Sequence, residues 1–238
     1  MQKDYTTLEK FMVKYQDLVG IPTQENGETF VLLPTSGNQV IGRYLSLKDM
    51  QTAFPQVPVR LTVKKKLDQA NANLQKTYPY LQLIVVYGYR SLEVQKKYFS
   101  EKKKKLETNR VLPEKLLEEI HRFVAVPSVA GHPTGGAIDI LLKNINTNKF
   151  LDFGTTIFDF SSKDMYALSP YVSEEARRNR QLLRNILIEV GFAPFDGEWW
   201  HFSYGDKEWA FYYKKSNAIY EQKNSKGVEV SLDVERKT

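Results

Sequence analysis

The 238-residue chain contains no cysteine, only three histidines and no long apolar run. Without cysteine there is no disulfide, no thiolate metal ligand and no cysteine nucleophile. The most apolar run, Leu81–Tyr87, is far shorter than the roughly 20 residues of a membrane-spanning helix. The N-terminus also lacks the apolar core of a signal peptide. We therefore expect a soluble protein without a membrane partner, located in the cytoplasm, or in the periplasm if a leader has been removed.

The net charge is +6, and much of the excess lies in two lysine-rich stretches, Lys64–Lys66 and Lys102–Lys105. A nucleic-acid-binding surface would interleave such charges with aromatic residues on a recognisable module. Neither stretch has that pattern, so we interpret both as solvated helix faces. We expect no nucleic-acid partner.

Helical and strand patterns are mixed along the chain without a regular strand–helix alternation. This mixture predicts an α+β fold, with a small, mostly antiparallel sheet flanked by helices. Hydrophobic periodicity predicts an early helix and several strands. The early helix spans Leu8–Leu18, the strands Leu81–Tyr87, Ala137–Leu142 and Glu198–Tyr204, and a hairpin partner Trp209–Tyr213.

Two of the three histidines lie where they could hold a metal together with an aspartate. His132 precedes a Gly-Gly turn in GHPTGGAIDI, and Asp139 follows inside a strand-like run. A buried carboxylate in a strand is costly unless a cation faces it. A catalytic zinc site needs about three protein ligands from His, Asp or Glu. His201, in GEWWHF, would complete such a set from a different strand.

Glu198 lies three residues before His201 and could serve as a base that is not a ligand. It could deprotonate an activated water and pass the proton to a leaving amine. Residues three apart in an extended strand point to opposite faces, so Glu198 must lie at the loop end of the strand. Each motif alone also has an ordinary reading, such as a loop histidine or a buried ion pair of Asp139 with an arginine. His121 has no acidic partner at metal spacing, and we interpret it as structural.

Together these motifs resemble those of the zinc D-Ala-D-Ala metallopeptidases. GHPTGGAIDI is similar to their HxxGxAxD-type signature, and GEWWHF looks like their second signature. The resemblance is strongest to D-alanyl-D-alanine dipeptidases of the vancomycin-resistance type. It covers roughly residues 59–213, with VYGYRS, DFGTTIFDF and RRNRQLLRNILIEVGF in the same order. It implies a hedgehog/D,D-peptidase-like fold, with a zinc metallopeptidase domain at 59–216, an N-terminal extension at 1–58 packed on it, and a polar C-terminal tail at 217–238.

The resemblance also implies roles for individual residues. One zinc ion per chain would be held by His132, Asp139 and His201, with Glu198 as general base and acid. Arg90, in VYGYRS, matches the family arginine that stabilises the anionic tetrahedral intermediate. From the residue alone, a structural salt bridge at a strand end is an equal alternative.

Substrate binding is implied at two further positions. Asp159, in IFDF, matches the carboxylate that receives the free amino group of the dipeptide. The family serine two residues before the first zinc histidine, which helps to bind the substrate carboxylate, is replaced by Ala130. The nearest serine is Ser128, which becomes the candidate for that role. Ser91 also stands where many relatives have proline after the arginine.

The implied activity is hydrolysis of D-Ala-D-Ala, or a close D,D-dipeptide, to free amino acids. If Asp159 binds the free amino group of the substrate, the site accepts a dipeptide and excludes longer peptides. One alternative is a peptidoglycan D,D- or L,D-carboxypeptidase of the same fold, which would need an open groove at Asp159. The other is a non-catalytic zinc-containing module that binds wall peptides, against which Glu198 and Arg90 argue.

Overall fold

A computed structural model describes residues 3–45, 49–107 and 113–231. Helices and strands follow one another without a regular alternation, as the sequence pattern predicts. The helices are α1 (Thr6–Phe11), α2 (Tyr15–Val19), α3 (Asp49–Ala53), α4 (Leu61–Thr77), α5 (Leu92–Glu107), α6 (Pro113–His121), α7 (Glu174–Glu189) and α8 (Lys207–Tyr212). The strands are β1 (Phe30–Leu32), β2 (Ile41–Gly42), β3 (Pro58–Arg60), β4 (Leu81–Tyr87), β5 (Ala137–Asn144), β6 (Lys149–Phe150), β7 (Ala193–Pro194) and β8 (His201–Ser203).

A six-stranded sheet forms the centre of the molecule. Its strands have the order β2-β4-β5-β8-β7, and β6 pairs with β5 beside that path. The β2–β4 pair is parallel, and the other pairs of this sheet are antiparallel. β1 and β3 form a separate antiparallel pair. The predicted α+β fold with a small, mostly antiparallel sheet flanked by helices is therefore confirmed.

The core lies between this sheet and two of the long helices, α4 and α7. Leu67, Ala70 and Leu74 form one apolar stripe along α4, and all three are buried with all seven residues of β4. Leu183 and Leu187 add the corresponding stripe of α7. Each such large aliphatic side chain contributes about 1.5–3 kcal/mol when fully buried. Within the described ranges, no helix combines the length and the apolarity that crossing a membrane requires.

The predicted hairpin strand at Trp209–Tyr213 is wrong, because these residues belong mostly to helix α8. Asp206 begins the helix: its side chain accepts a hydrogen bond from the backbone N–H of Trp209 at 2.9 Å. Such a cap satisfies a donor that the first helical turn would otherwise leave free. The aromatic residues suggested a strand, but the cap and the packing of Trp209 select a helix.

The single helix predicted at Leu8–Leu18 is also wrong, since the structure has two short helices there. α1 ends at Phe11 and α2 begins at Tyr15. The carboxylate of Asp17 accepts a hydrogen bond from the backbone N–H of Lys14 at 2.9 Å. This contact favours a new helix start at Tyr15 over continuation of α1.

Arg60 joins three segments that are distant in the sequence. Its guanidinium is almost fully buried and bonds both carboxylate oxygens of Glu25, each at 3.0 Å. It also donates to the main-chain carbonyls of Thr134 at 2.7 Å and Glu221 at 3.3 Å. The N-terminal segment, the loop after His132 and the C-terminal segment therefore meet at one buried cation.

Both terminal segments make further contacts with the central part of the chain. β1 and β2, in the predicted extension 1–58, pair with β3 and β4. In the predicted tail, Tyr220 is buried, and the backbone N–H of Lys223 donates to the carbonyl of Pro133 at 2.8 Å. The boundaries at 58/59 and 216/217 stay predictions.

Gly131 lets the loop that carries His132 lie against the start of α8. A Cβ atom on Gly131 would lie only 2.1 Å from Oδ2 of Asp206. Asp206 cannot easily move away, because its other carboxylate oxygen caps α8. The φ angle of Gly131 is −78°, so the requirement for glycine is one of space and not of backbone conformation.

Replacing Arg60 with methionine should remove the buried cation that faces the Glu25 carboxylate and leave three main-chain carbonyls, those of Glu28, Thr134 and Glu221, without this donor. We expect the free energy of unfolding to fall by about 3–5 kcal/mol, measured by chemical denaturation. The control is Arg178→Met, which removes an exposed ion pair with Glu174 on α7. That control should cost less than about 1 kcal/mol. Equal losses in the two variants would contradict the role of Arg60.

The variant Gly131→Ala should lower the free energy of unfolding by about 1–3 kcal/mol, because the added methyl group overpacks a buried loop. Thermal denaturation of the metal-free protein measures this. Gly20→Ala is the matched control, since beyond the local backbone no atom of the described residues lies within 4 Å of the added methyl group. If Gly131→Ala had the same melting temperature as Gly20→Ala, the stability of the loop would not depend on its close approach to Asp206.

Candidate metal centre and active site

Strand pairing brings Asp139 and His201 together at the centre of the sheet. β5 lies between β4 and β8, and in this register Asp139 lies opposite both Tyr87 and His201. A short 3-10 turn, His132–Thr134, precedes β5 and ends at Gly135, whose φ of 73° is in the left-handed region. Glycine adopts that conformation without steric cost. The turn folds His132 back over the start of β5.

His132, Asp139 and His201 form one compact, buried group. Nε2 of His132 lies 3.4 Å from Oδ2 of Asp139, and Nδ1 of His201 lies 3.0 Å from Oδ1. One donor atom from each side chain lies within 4.8 Å of the other two. Ligand atoms bonded to a tetrahedral zinc at about 2.0–2.1 Å are about 3.3 Å apart. The two nitrogen–oxygen distances, each to a different oxygen of Asp139, are close to that value, so two imidazoles and one carboxylate are a donor set that fits such an ion.

The His132 ring is oriented by a contact on its far side. Its Nδ1 lies 2.7 Å from the carbonyl oxygen of Gly88, at the end of β4. A carbonyl oxygen only accepts, so the proton is on Nδ1 and the Nε2 lone pair faces Asp139. Burial lowers the pKa of His132, which favours the neutral ring that a metal ligand needs.

Asp139 is held as a carboxylate by its two neighbours. Burial alone would raise the pKa of Asp139, but the contacts with His132 and His201 outweigh it and hold that pKa well below its usual range. Burial likewise acts to lower the pKa of His201, whereas Asp139 and Glu208 raise it well above its usual value. The structural alternative for Asp139, an ion pair with an arginine, is not the arrangement found, since histidines face it.

Glu198 lies in a turn directly before β8. The backbone N–H of His201 donates to the carbonyl of Glu198 at 3.2 Å, and this turn brings both side chains to one cavity although they are three residues apart. β8 spans only His201–Ser203, shorter than the predicted Glu198–Tyr204. Burial raises the pKa of Glu198 to about 8, with His201 acting against it. A pKa in this range suits a group that accepts and returns a proton near neutral pH.

Arg90 follows β4 and lines the same cavity as Glu198. Its backbone N–H donates to the carbonyl of His132 at 3.2 Å. The guanidinium carbon lies 5.3 Å from the ring centroid of Tyr87 and 5.4 Å from that of Tyr98. Within the described ranges Arg90 has no ion-pair partner, and its buried Nε has no hydrogen-bond partner. A salt bridge is therefore not what holds it, and its polar nitrogens are available to a ligand.

The cavity combines this polar group with apolar walls. It opens onto the three candidate ligands, Arg90 and Glu198. A few converging polar groups within an apolar lining are typical of sites for small molecules. The aromatic part of the lining consists of Tyr98, Phe123, Phe158, Phe160 and Phe195.

The two predicted substrate-binding residues are not among the described residues that line this cavity. The Asp159 carboxylate accepts hydrogen bonds from the backbone N–H of Ser161 at 2.9 Å and from its hydroxyl at 2.5 Å. Asp159 nevertheless lies between two of the cavity-lining phenylalanines. Ser128 is exposed and lines a separate cavity, and Ala130 borders both cavities. The roles of Asp159 and Ser128 stay predictions.

Sequence reasoning missed two polar residues of the cavity, Glu208 and Gln95. Glu208 lies on α8, and its Oε2 is 3.4 Å from Nε2 of His201. Gln95 is fully buried on α5 and donates to the carbonyl of Ala125 at 2.7 Å. Neither belongs to a short motif. The sequence signal that could have led to Glu208 is Asp206, because an aspartate at this position predicts the start of a helix that includes Glu208.

His121 lies outside the group of candidate ligands. It is buried at the end of α6, and its Nδ1 accepts a hydrogen bond from the backbone N–H of Val126 at 3.2 Å. Its ring is 6.2 Å from that of Tyr15. These contacts agree with a structural role.

Several known proteins are similar to this chain. A D-alanyl-D-alanine dipeptidase of Synechocystis sp. (strain PCC 6803) is 29% identical over 224 residues, which are 83% of this chain and 90% of the relative. A D-alanyl-D-alanine dipeptidase of Escherichia coli (strain K12) is 40% identical over 73 residues, 31% of this chain and 37% of that protein. Among solved structures, a vancomycin resistance D,D-pentapeptidase VanY in complex with Zn(II) aligns with a TM-score of 0.40 at 16% identity. That alignment covers 85% of this chain and 96% of the other.

A sequence model of the peptidase M15 family, described as D-ala-D-ala dipeptidase, matches residues 49–223. The match extends over well more than half of the chain and contains the three candidate ligands, Glu198 and Arg90. The chain therefore belongs to the D-Ala-D-Ala dipeptidase family of metallopeptidases.

Proposed function

We propose that the protein is a zinc-dependent dipeptidase that hydrolyses D-Ala-D-Ala, or a close D,D-dipeptide, to free amino acids. The observation that carries this proposal is the buried group of His132, Asp139 and His201, with Glu198 and Arg90 on the same cavity. The relatives from Synechocystis and Escherichia coli, both named D-alanyl-D-alanine dipeptidase, support the substrate. We place the reaction in the cytoplasm, where free dipeptide is available.

The donor set supports one zinc ion per chain. Two imidazoles, each with its ligating nitrogen free of a proton when the ion is bound, and one carboxylate would leave a further coordination position open, as is usual in catalytic zinc sites. Lewis-acid activation of a water and of the scissile carbonyl is the chemistry that an ion held by these three side chains supplies.

Glu198 and Arg90 divide the remaining work between proton transfer and charge stabilisation. Glu198 takes a proton from the attacking water and returns it to the amine that leaves, so that the amide bond is exchanged for a carboxylate and an amine. Arg90 directs its guanidinium at the carbonyl oxygen, where negative charge develops as the water adds. Its buried and unpartnered Nε supports this role, because the group is held in the cavity without a competing anion.

The assignment of Asp159 to the substrate ammonium rests on its place between Phe158 and Phe160. To bind the ammonium, its carboxylate would exchange the two hydrogen bonds from Ser161 for bonds to the substrate. The carboxylate and the ammonium would then form an ion pair in which both partners are charged, whereas the Ser161 donors that it replaces are neutral.

A peptidoglycan carboxypeptidase is the second candidate function, and one observation favours it. The Asp159 carboxylate is satisfied by Ser161, and among the described residues it does not line the cavity. Without an anchored amino end, a longer peptide could extend past this position. The length of the accepted substrate therefore separates the two candidates.

The variant Glu198→Gln should keep its zinc but lose turnover by about 100- to 10,000-fold, the range for loss of a general acid–base group. The amide has nearly the same shape as the carboxylate but cannot take up the proton. Metal content by atomic emission and D-alanine release would be measured on one preparation. Glu175→Gln, on the exposed face of α7, is the control. A near wild-type rate would remove Glu198 from the mechanism.

Substrate length should depend on Asp159. We expect the zinc-loaded wild type to release D-alanine from D-Ala-D-Ala but not from a tripeptide with the same end. Asp159→Asn should lower kcat/KM for the dipeptide by about 10- to 100-fold, the value of one hydrogen bond to a charged group. Asp152→Asn is the matched control, since that aspartate also closes an exposed turn, accepting from Gly154 at 2.7 Å.

Cleavage of the tripeptide at a rate comparable to the dipeptide would identify a carboxypeptidase. Unchanged dipeptide kinetics in Asp159→Asn would show that another group receives the amino end. Failure on both substrates by a zinc-loaded protein would rule out D-Ala-D-Ala as the recognised unit and direct attention to Ala130.

A further inference from the structure

Both ring nitrogens of His201 face a carboxylate. Nδ1 lies 3.0 Å from Oδ1 of Asp139, on the side of the candidate metal site. Nε2, on the opposite edge of the ring, lies 3.4 Å from Oε2 of Glu208. His132 has a similar arrangement, with Nε2 toward Asp139 and Nδ1 against the carbonyl of Gly88. Each histidine thus has one inner nitrogen toward Asp139 and one outer nitrogen beside an acceptor.

Glu208 is held in place by the start of α8. It is the second residue of this helix, which begins directly after the Asp206 cap, and only 8% of Glu208 is exposed. Its Oε2 has no conventional hydrogen bond within the described part of the chain, and Nε2 of His201 lies 3.4 Å from that atom. A buried carboxylate oxygen without a partner is costly. The placement therefore needs a reason beyond the packing of α8.

We propose that Glu208 is a positioning residue for the metal site. Its carboxylate accepts a hydrogen bond from the Nε2–H of His201 and so fixes the tautomer in which the lone pair of Nδ1 faces the metal. In a neutral imidazole one ring nitrogen carries the proton and the other carries a lone pair. The partner of the outer nitrogen decides which of the two nitrogens is protonated. This inference rests on the metal assignment of the proposed function.

The outer partners of the two histidines differ in charge, and this gives Glu208 a specific effect. The carbonyl of Gly88 is a neutral acceptor for His132, whereas Glu208 offers His201 a carboxylate. Hydrogen bonds to ionised acceptors are roughly twice as strong as neutral ones, and a carboxylate raises the basicity of the ligating nitrogen. Of the two candidate histidine ligands, His201 is therefore the one whose affinity for the metal depends on an ionised side chain that is not itself a ligand.

Two competing roles for Glu208 make different predictions. As a fourth ligand it would have to belong to the compact donor group, but that group consists of His132, Asp139 and His201. As a purely structural residue it would stabilise the fold near α8 without any effect on the metal. Zinc affinity and the tautomer of His201 distinguish positioning from structure.

The first measurement is the zinc affinity of Glu208→Leu and Glu208→Gln, by competition with a chromophoric chelator. Loss of an outer-shell partner weakens metal binding by about 10- to 100-fold. We expect Glu208→Leu at the upper end of that range, because leucine cannot accept a hydrogen bond. Glu208→Gln should lie at the lower end, because its amide oxygen still accepts but carries no charge.

A matched control separates this effect from loss of stability. Glu118→Leu removes a half-buried carboxylate that accepts the backbone N–H groups of Tyr15 and Gln16 at 3.0 and 3.1 Å. It should lower the melting temperature and leave the zinc affinity unchanged. If Glu208→Leu does not fold, the nearly isosteric Glu208→Gln and its expected tenfold loss still test the proposal.

The second measurement is ¹⁵N NMR of the histidine rings in the zinc-loaded protein. In the wild type the resonances of His201 should report a metal-bound Nδ1 and a protonated Nε2. Glu208→Gln should keep this pattern with a shifted Nε2 proton, since the acceptor becomes neutral.

Zinc affinity in Glu208→Leu and Glu208→Gln equal to that of the wild type would overturn the inference and leave the proposed function standing. A wild type that takes up no zinc would instead overturn the proposed function. The inference would then fall for that separate reason.

Discussion

One ionised carboxylate in the central strand, Asp139, constrains the arrangement around it. Placing an unpaired charge at this depth costs several kcal/mol, so cationic or donor groups must approach from elsewhere in the chain. Antiparallel pairing of β5 with β8 supplies His201, and the turn before β5 supplies His132. A slip of one residue in that pairing would move the carboxylate to the other face of the sheet. The register of β4, β5 and β8 and the position of the Asp139 carboxylate thus depend on each other.

The outer contacts of the site come from both sides of β5. The carbonyl of Gly88, after β4, orients one histidine, and α8 presents Glu208 to the other. Arg90 follows the same strand end as Gly88, and Glu198 lies in the turn that enters β8. The two groups proposed for proton transfer and for charge stabilisation therefore approach the cavity from different strands, and among the described residues they form no ion pair with each other.

The grouping of the candidate metal ligands and Glu198 could be predicted from the sequence because each lies in a short motif with local spacing. His132 and Asp139 are separated by one turn, and Glu198 and His201 by another, so local geometry determines both pairs. Glu208 could not be predicted, since its approach to His201 depends on how α8 packs after the strand ends. Aromatic residues suggested a strand there, and only the cap at Asp206 indicates the helix. The position of Asp159 is likewise decided by a turn contact with Ser161 that no pattern predicts.

The buried cation of Arg60 binds Glu25 near one end of the chain and the carbonyl of Glu221 near the other. It also binds the carbonyl of Thr134, in the turn that carries His132. Deletion mapping would therefore be misleading for this molecule. A fragment that begins at residue 59 would keep every candidate catalytic residue and still lack the anion that neutralises Arg60. Loss of activity in such a fragment would come from the missing contact between Arg60 and Glu25, beside the loop that carries His132. It would be mistaken for the loss of a catalytic residue.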